Sequence, residues 1–215
     1  MEHRMISIAD QVFEELERRI LSGNYERGEV LTELRLSEEL SVSRTPIREA
    51  LKRLAQERII ELTSKGARVI GITREDIEDI CEIRLRLEGL AARWAAERAD
   101  ENGIQKLKEI LDLQEFYTER NDPENIKTLD SRFHQGIYRL CGSNAMRDTL
   151  EPLHRKLLKY RRVSVSTHSR AVESLSEHRA IFDAIAAHDG TGAEAVTIQH
   201  VQNARDSILR RETLN

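Results

Sequence analysis

The sequence predicts a mainly α-helical protein with two domains, covering residues 1–72 and residues 73–215. A third of its 215 residues are charged and only 4% are aromatic, while the helix-favouring residues Leu, Ala, Glu, Arg and Lys recur over long stretches. Glycine and proline are sparse, at ten and three residues. Apolar residues recur at helical spacing through most of the chain, and two short β-type runs near residue 65 end the first domain.

Two helices are predicted before residue 41. The first covers residues 8–22, where apolar side chains recur at helical spacing until Ser22-Gly23-Asn24 stops the helix. The second covers residues 31–40, and Ser41 then begins a turn. We therefore expect two short helices ahead of a third, joined by tight connections.

The third helix is predicted to begin after Ser43, which we expect to cap it, and to run to about Gln56. Pro46 falls in its first turn, where the missing N–H costs nothing. An inward apolar stripe is formed by Ile47, Ala50, Leu51 and Leu54. The opposite face projects Arg44, Thr45, Arg48 and Lys52. This outward face predicts a recognition helix.

A β-hairpin with a basic tip is predicted next, with strands at 59–62 and 67–70 around a turn that contains Lys65. A helix-turn-helix followed by such a hairpin is a winged helix. In that fold the third helix enters the DNA major groove, where arginine can bind guanine O6 and N7. Ser43, Thr45 and the wing tip would hold phosphates or reach the minor groove. The alternative is an ordinary capped helix with a solvated basic face, which the preceding helix and the hairpin disfavour.

The charge distribution supports this interpretation. The whole chain carries a net charge of −4, but seven basic residues stand against three acidic ones between residues 41 and 70. The local field at the binding face matters more than the net charge for DNA association. We therefore expect one basic face to bind DNA while the acidic remainder stays away from it.

The N-terminal motif resembles the GntR family of bacterial transcription regulators. The resemblance lies in the block from Ile20 to Leu51, chiefly in Val-Ser-Arg-Thr-Pro-Ile-Arg-Glu-Ala-Leu at residues 42–51. It implies a homodimer that binds a palindromic double-stranded DNA operator, usually as a repressor. The DNA contacts that it implies fall on Arg35, Ser43, Arg44, Thr45, Arg48, Lys65 and Gly66. The chain departs from the family at Ser41, where glycine is usual.

The remainder of the chain predicts an all-helical bundle of about six helices, beginning at a capping Thr73. Turn signals rich in Gly, Asn, Asp and Ser divide these helices. The predicted ranges are 73–100, 103–120, 123–141, 144–166, 170–188 and 191–212. The sequence shows no internal repeat.

Three histidines lie on apolar helix faces in this bundle. His134 follows Asp130 by one helical turn, a spacing that suits one shared cation, and His178 and His200 lie among apolar neighbours on two later helices. If these faces converge, the four side chains make a His₃Asp set that suits Zn, Ni or another first-row divalent metal. The alternative is that core histidines are held by backbone carbonyls.

The same four positions resemble the FCD domain of the FadR-type branch of the GntR family. The resemblance rests on Asp-x-x-x-His, on Glu-His-Arg-Ala-Ile and on a late helical histidine. It implies that Asp130, His134, His178 and His200 bind a divalent metal. The other histidines of the bundle, His154, His168 and His188, have no matching partners, and we expect them to be surface or structural residues.

Arg84 matches an arginine that faces the effector pocket in this family, and its planar guanidinium suits a carboxylate. The alternative is a salt bridge to Glu88, one turn further along the same helix. The resemblance therefore implies a small carboxylate effector, bound over the metal and near Arg84, that controls the affinity for DNA. We expect Asn144 to be a helix cap.

Two other functions remain open. The metal could be the signal or a structural staple without an organic effector. A metalloenzyme would use the metal to activate water, but four protein ligands exceed what catalytic zinc usually takes, so we expect no enzyme. No apolar run approaches the ~20 residues that a membrane helix needs. The missing secretory leader and the unpaired spacing of Cys81 and Cys141 indicate a reducing cytoplasm.

Overall fold

The computed structural model describes residues 7–157 and 168–212, and the chain divides into two compact units, residues 1–73 and 74–215. Each unit has a hydrophobic core of its own. Within the described ranges, no helix has both the length and the apolar character needed to cross a membrane.

The first unit is a helical domain with a three-stranded antiparallel sheet. Its elements are α1 (Ile8–Leu21), β1 (Val30–Leu31), α2 (Glu33–Leu40), α3 (Arg44–Gln56), β2 (Ile60–Thr63) and β3 (Gly66–Val69). Strand β3 lies between β1 and β2. The hairpin pairs Thr63 with Gly66, so a two-residue turn joins its strands. Each strand therefore extends one residue further into the turn than predicted. The short strand β1 was not predicted.

Side-chain caps set where the first two helices begin. Ser7 and Asp10 form a reciprocal capping box at α1, and the Thr32 side chain accepts a hydrogen bond from the Arg35 backbone at α2. These caps fix the helix starts so that the apolar faces meet in one core. The core contains the predicted stripe of α3, namely Ile47, Ala50, Leu51 and Leu54. Ile8, the first residue of the predicted apolar face of α1, is instead exposed.

The turn between α2 and α3 differs in detail from the sequence prediction. Ser43 occupies the N-cap position of α3, but its side chain makes no capping hydrogen bond. The expected capping bond is therefore absent, and the exposed Ser43 hydroxyl is not used by its own helix. Ser41 ends α2 in the left-handed region, with φ of 54°. That conformation favours glycine, which explains why glycine suits this position.

Gly66 is required by the close approach of two strands. Its φ is +137°, and a Cβ at this position would lie 2.6 Å from the carbonyl oxygen of Leu31 in β1. Any side chain would therefore push β3 away from β1. Gly66 contributes to the wing through its backbone.

The second unit is all-helical in the described residues. Its helices are α4 (Arg74–Arg98), α5 (Glu101–Glu119), α6 (Pro123–Leu140), α7 (Asn144–Lys156), α8 (His168–Ala186) and α9 (Gly190–Glu212). Helix α4 packs most extensively against α9. Small residues make this close packing possible, since a Cβ at Gly89 would meet Ile198 of α9 at 2.8 Å. Four further residues of α4 are buried alanines: Ala91, Ala92, Ala95 and Ala96.

Apart from the end of the predicted helix 144–166, the helix boundaries in the described residues lie within two residues of the predicted ones. The predicted helix 144–166 is described only to Lys156, and its last part lies outside the described residues. Helix α8 begins at His168 and ends at Ala186, two residues earlier at each end than predicted. Ser143, not Asn144, is the N-cap of α7, because the Ser143 side chain accepts a hydrogen bond from the Met146 backbone.

Candidate functional site

Three helices of the second unit bring three histidines together. His134 lies on α6, His178 on α8 and His200 on α9, and each is almost completely buried. One ring nitrogen of each histidine lies within 4.8 Å of the others. The three apolar faces that carry these histidines in the sequence therefore do converge.

The fourth predicted residue lies beside them. Asp130 precedes His134 by one turn of α6, and its Oδ1 lies 3.7 Å from Nε2 of His178. The Asp122 side chain caps α6 by accepting from the Asn125 backbone, and Pro123 occupies the first turn. This cap fixes the start of α6, and the helical spacing then places Asp130 and His134 on one buried face.

Two of the histidines are oriented by hydrogen bonds from Nδ1. The Nδ1 of His178 lies 2.9 Å from Oε1 of Gln114 on α5, and the Nδ1 of His200 lies 2.7 Å from Oε2 of Glu177 on α8. Because both partners are oxygens that accept, each Nδ1 carries the hydrogen and each Nε2 presents a lone pair. Such outer partners are characteristic of histidine ligands to metals.

Glu177 is an ionised partner despite its environment. Burial alone would raise the pKa of its carboxyl group, but hydrogen bonds from His200, Arg170 and Asn203 lower that pKa to about 2. Arg170 donates to both carboxylate oxygens of Glu177, at 2.8 and 2.9 Å. Because Glu177 is adjacent to His178 in the sequence, its side chain leaves α8 in a different direction from that of His178. It holds His200 from a neighbouring helix instead.

The third histidine faces a buried carboxylate that the sequence interpretation did not assign to the site. Nδ1 of His134 lies 3.5 Å from Oε2 of Glu88 on α4. Tyr138 donates its hydroxyl hydrogen to Oε1 of Glu88 at 2.6 Å. Burial raises the pKa of Glu88, but the charge of Arg84 and the contact with His134 hold it well below its usual range. Glu88 is therefore an anion beside His134.

Arg84 makes the salt bridge that was the alternative to an effector contact. Its Nε donates to Oε1 of Glu88 at 2.6 Å, and both side chains are 1% exposed. Burial lowers the pKa of Arg84, and the Glu88 charge outweighs this and raises it. The Nη2 of Arg84 is buried and has no hydrogen-bond partner among the described residues. Glu88 thus accepts from Nε of the guanidinium, whereas Nη2 donates to none of the described residues.

The distance between two imidazole nitrogens tests whether a metal fits. Nε2 of His134 and Nε2 of His200 are 3.2 Å apart. Because Nδ1 of His200 donates to Glu177, its Nε2 presents a lone pair toward His134, and either a hydrogen on Nε2 of His134 or a cation can lie between the two nitrogens. Two nitrogens about 2.1 Å from one ion and 3.2 Å apart subtend about 100° at that ion, between octahedral and tetrahedral values. A divalent cation would also use the nearby His178 nitrogen and Asp130 carboxylate. A hydrogen bond between His134 and His200 would need neither of these two side chains.

His154 is buried at the site and is not a surface residue. Its ring lies 5.0 Å from that of His134, and one of its nitrogens groups with His134 and Glu88 within 4.8 Å. The spacing to Leu150 and Leu157, both buried, could have revealed its inward face. Of the other two histidines in the bundle, His188 contacts the Ala96 carbonyl oxygen at 2.7 Å, a structural role, and the His168 side chain lies outside the described residues.

In the first unit, the predicted recognition face is exposed on α3. Ser43, Arg44, Thr45 and Arg48 all lie at the surface of the first two turns of this helix. Arg44 and Arg48 are 60% and 56% exposed, and both contact Glu33, the first residue of α2. The helix-turn-helix therefore presents two adjacent guanidinium groups beside two small hydroxyl groups.

The remaining predicted DNA contacts fall into two groups. Lys65 is exposed in the hairpin turn, and its backbone N–H donates to the Thr63 side chain, which stiffens the turn. Arg35 is held by carboxylates on two sides, with Nε donating to Glu39 at 2.6 Å and Nη1 donating to Glu29 at 2.7 Å. Lys65 thus lies at the tip of the wing, whereas Arg35 already takes part in a surface ion-pair network.

A polar cavity of about 540 Å³ lies beside Glu177, on the side of the histidine cluster where Arg170 contacts that carboxylate. Its lining comes from α8 and α9. The lining residues are Ser169, Arg170, Glu173, Glu177, Asn203, Asp206, Ser207 and Arg210. The cavity is large enough for a small organic acid.

Both halves of the chain match known protein families. Residues 8–70 match the model of the bacterial regulatory proteins of the gntR family, and residues 79–203 match the FCD domain. The chain is 39% identical to the gluconate operon transcriptional repressor of Bacillus licheniformis over 125 residues, which are 58% of this chain and 51% of that repressor. The chain thus spans about half the length of that relative.

A second relative aligns over most of both chains. The chain is 27% identical to the galactonate operon transcriptional repressor of Escherichia coli K12 over 229 residues, covering 91% of this chain and 94% of that one. Among solved structures, E. coli McbR/YncC has a TM-score of 0.83 at 22% identity and covers 97% of this chain and 100% of its own. That structure shares the fold.

Proposed function

The chain belongs to the GntR family of bacterial regulatory proteins and carries the family's FCD domain, and on that basis we propose that it is a sequence-specific DNA-binding transcription regulator. The observation that carries this proposal is the exposed face of α3, where Ser43, Arg44, Thr45 and Arg48 lie together. Because relatives are named as operon repressors, we propose that it represses. A homodimer on a palindromic double-stranded operator fits one recognition helix for each half-site.

In this proposal the two arginines read bases while the hydroxyl groups and the wing bind the backbone. Arginine can donate two hydrogen bonds to O6 and N7 of guanine in the major groove. Ser43 and Lys65 carry exposed donors that suit phosphate oxygens. Gly66 acts through its backbone, because a side chain there would displace the wing.

Arg48→Ala is expected to weaken binding to the selected operator by ~1–3 kcal/mol and to relax the preference at one base position. The physical reason is the loss of one bidentate contact to a base edge. Fluorescence anisotropy with an operator selected in vitro, and with its single-base variants, measures both effects. Arg18→Ala, which removes an exposed ion-paired arginine from α1, should leave both unchanged. Unaltered binding by Arg48→Ala would remove this residue from the recognition face.

We propose further that Asp130, His134, His178 and His200 hold a divalent metal ion, with Zn or Ni the best match to this donor set. The support is the convergence of three imidazole nitrogens within 4.8 Å and the outer hydrogen bonds that turn two Nε2 atoms toward the cluster. When bound, such an ion supplies open coordination positions that attract a carboxylate oxygen. Glu88, Gln114 and Glu177 orient the three imidazoles from outside.

Gln114→Ala is expected to lower the metal affinity about 10–100-fold, the usual effect of removing an outer partner of a histidine ligand. Without the amide oxygen at 2.9 Å, the His178 ring loses the contact that sets its orientation and tautomer. Competition of the purified protein with a fluorescent chelator measures the affinity. Gln105→Ala, at an exposed position of the same helix, is the matched control. Equal affinities of Gln114→Ala and the wild type would contradict the proposed orientation of His178.

The proposed signal is a small carboxylate that binds at this metal, with Arg84 as a second anchor. Nη2 of Arg84 has no hydrogen-bond partner among the described residues, and its guanidinium is joined to His134 through Glu88. A carboxylate bound to Arg84 would therefore act on Glu88, which contacts the proposed metal ligand His134. Because two relatives are named for the gluconate and galactonate operons, sugar acids are the first compounds to test.

A thermal-shift screen of the full chain against hydroxy, keto, sugar and dicarboxylic acids tests whether an acid binds at the metal as the signal. The screen is run with and without prior removal of the metal by a chelator. Stabilisation by one acid only in the metal-loaded protein would support an effector anchored on the metal. A melting temperature that falls on chelation, with no response to any acid, would favour a structural metal. Family membership argues against the metalloenzyme alternative.

A further inference from the structure

One carboxylate of α2 holds both arginines of the recognition face. Glu33 accepts hydrogen bonds from Nε and Nη2 of Arg48 at 2.8 and 2.9 Å. It also accepts from Nε and Nη2 of Arg44 at 3.2 and 2.9 Å. The three side chains form a cluster on the exposed surface of the helix-turn-helix.

We propose that Glu33 is a positioning residue that determines sequence specificity, because it orients the guanidinium groups of Arg44 and Arg48 for base recognition. This inference rests on the proposed function of α3 in DNA binding. It adds an acidic residue to a site whose predicted contacts, apart from the hydroxyl groups and Gly66, are basic.

The edges of the guanidinium groups support this role. A guanidinium has five N–H donors in a rigid plane, and Glu33 takes the edge formed by Nε and Nη2 in both arginines. The opposite edge, formed by Nη1 and the second hydrogen of Nη2, points away from Glu33. That edge carries two parallel donors, the arrangement that matches O6 and N7 of guanine.

The position of Glu33 is set by the local sequence. Thr32 caps α2 through its side chain, so Glu33 is the first residue of the helix and extends from a fixed backbone position. Hydrogen bonds from Arg48 and Arg44 lower the pKa of Glu33 to about 2. The carboxylate therefore stays charged at neutral pH, which both contacts require.

The exposure of the cluster indicates that stability is not its main role. Arg44 and Arg48 are 60% and 56% exposed and Glu33 is 25% exposed. Ion pairs with this exposure contribute little to folding. Holding a long arginine side chain in one orientation beforehand does reduce the conformational entropy that is lost when the side chain binds DNA.

Glu33 should affect the two modes of DNA binding in opposite directions. Its negative charge repels phosphates whatever the base sequence, so it weakens non-specific binding. Its hydrogen bonds preorganise the arginines only for a duplex with guanines in the right places. Both effects increase the ratio of operator affinity to non-specific affinity.

The test compares Glu33→Gln with Glu15→Gln in the full chain. Glu15 is a matched control because it also pairs with two arginines and also has a pKa of about 2, but it lies on α1. Anisotropy measures affinity for a duplex selected in vitro with the wild type and for a scrambled duplex. We expect Glu33→Gln to reduce the affinity ratio about tenfold, within the range of one bidentate base contact, and to bind the scrambled duplex more tightly. Glu15→Gln should keep the wild-type ratio.

A second variant separates geometry from charge. Glu33→Asp keeps the negative charge but is one methylene shorter, so it cannot reach both arginines in their present positions. We expect it to lose discrimination without tighter binding to the scrambled duplex. If Glu33→Gln melts at a lower temperature than the wild type, the discrimination measured for Glu33→Asp tests the inference instead.

Two results would overturn the inference: an unchanged affinity ratio in Glu33→Gln, which includes an equal rise in both affinities, or wild-type discrimination in Glu33→Asp. An equal rise would mean that Glu33 acts only as a repelling charge. A wild type that enriches no sequence and binds every duplex equally is a different failure, because it contradicts the proposed DNA recognition itself.

Discussion

Replacing Glu88 with alanine is expected to lower the free energy of unfolding by about 3–5 kcal/mol, the usual cost of removing one partner from a buried ion pair. Glu88 and Arg84 are each 1% exposed and are joined by a hydrogen bond of 2.6 Å. Without the carboxylate, the Arg84 charge remains buried and loses its counter-ion. Tyr138 also loses its hydrogen-bond acceptor.

Urea denaturation of the full chain, with the second unit followed separately, measures this loss. Glu82→Ala is a matched control, because Glu82 pairs with Arg86 at the same spacing on the same helix but at the surface. It should leave the midpoint nearly unchanged. A loss below about 1 kcal/mol for Glu88→Ala would mean that water reaches the pair.

The double variant Arg84→Met with Glu88→Leu distinguishes charge from packing. Replacing both members of a buried pair with apolar residues of similar volume is often neutral or stabilising. We expect the double variant to recover most of the stability that Glu88→Ala loses. It should still bind metal more weakly than the wild type, because His134 has lost the carboxylate 3.5 Å from its Nδ1.

His178→Ala is expected to remove most of the bound metal, with an affinity loss of at least ~100-fold, since removing only an outer partner costs 10–100-fold. The substitution takes away one of three converging nitrogens and the neighbour of Asp130. It also removes the ring that stacks on Phe133 at 4.4 Å, so some stability is lost without any metal.

Metal content per chain, measured by mass spectrometry after dialysis, tests this expectation. His188→Ala is the control, because His188 contacts a backbone carbonyl and lies outside the cluster. Chelation should lower the melting temperature of the wild type and of His188→Ala but have little effect on His178→Ala. Wild-type metal stoichiometry in His178→Ala would show that the proposed ligand set is wrong.

Local patterns allowed much of the fold to be predicted. Helical spacing of apolar residues predicted α1 and the inward stripe of α3, and a turn signal predicted the hairpin around Lys65. Helix periodicity and turn signals are properties of neighbouring residues, so they can be seen in the sequence. Strand β1 was missed because its two residues become a strand only by pairing with β3.

Only part of the candidate site could be predicted, because only contacts within one helix follow from the spacing of neighbouring residues. His134 and Asp130 share one helix face, so their proximity follows from helix geometry. Gln114 carries no local signal that points to His178, 64 positions later in the chain. Glu177 is adjacent to His178 and so points away from it on their own helix, yet it holds a histidine of the next helix.

The amino-acid pattern alone thus specifies which helix faces are apolar and which side chains on them are polar, because each helix folds by rules that act over one or two turns. Only the tertiary structure specifies which of these polar side chains meet. Glu88, His154, Gln114 and Glu177 join the histidines through helix packing, and Glu33 reaches two arginines of the following helix across a turn. Such contacts depend on how whole helices pack, which no short stretch of sequence encodes.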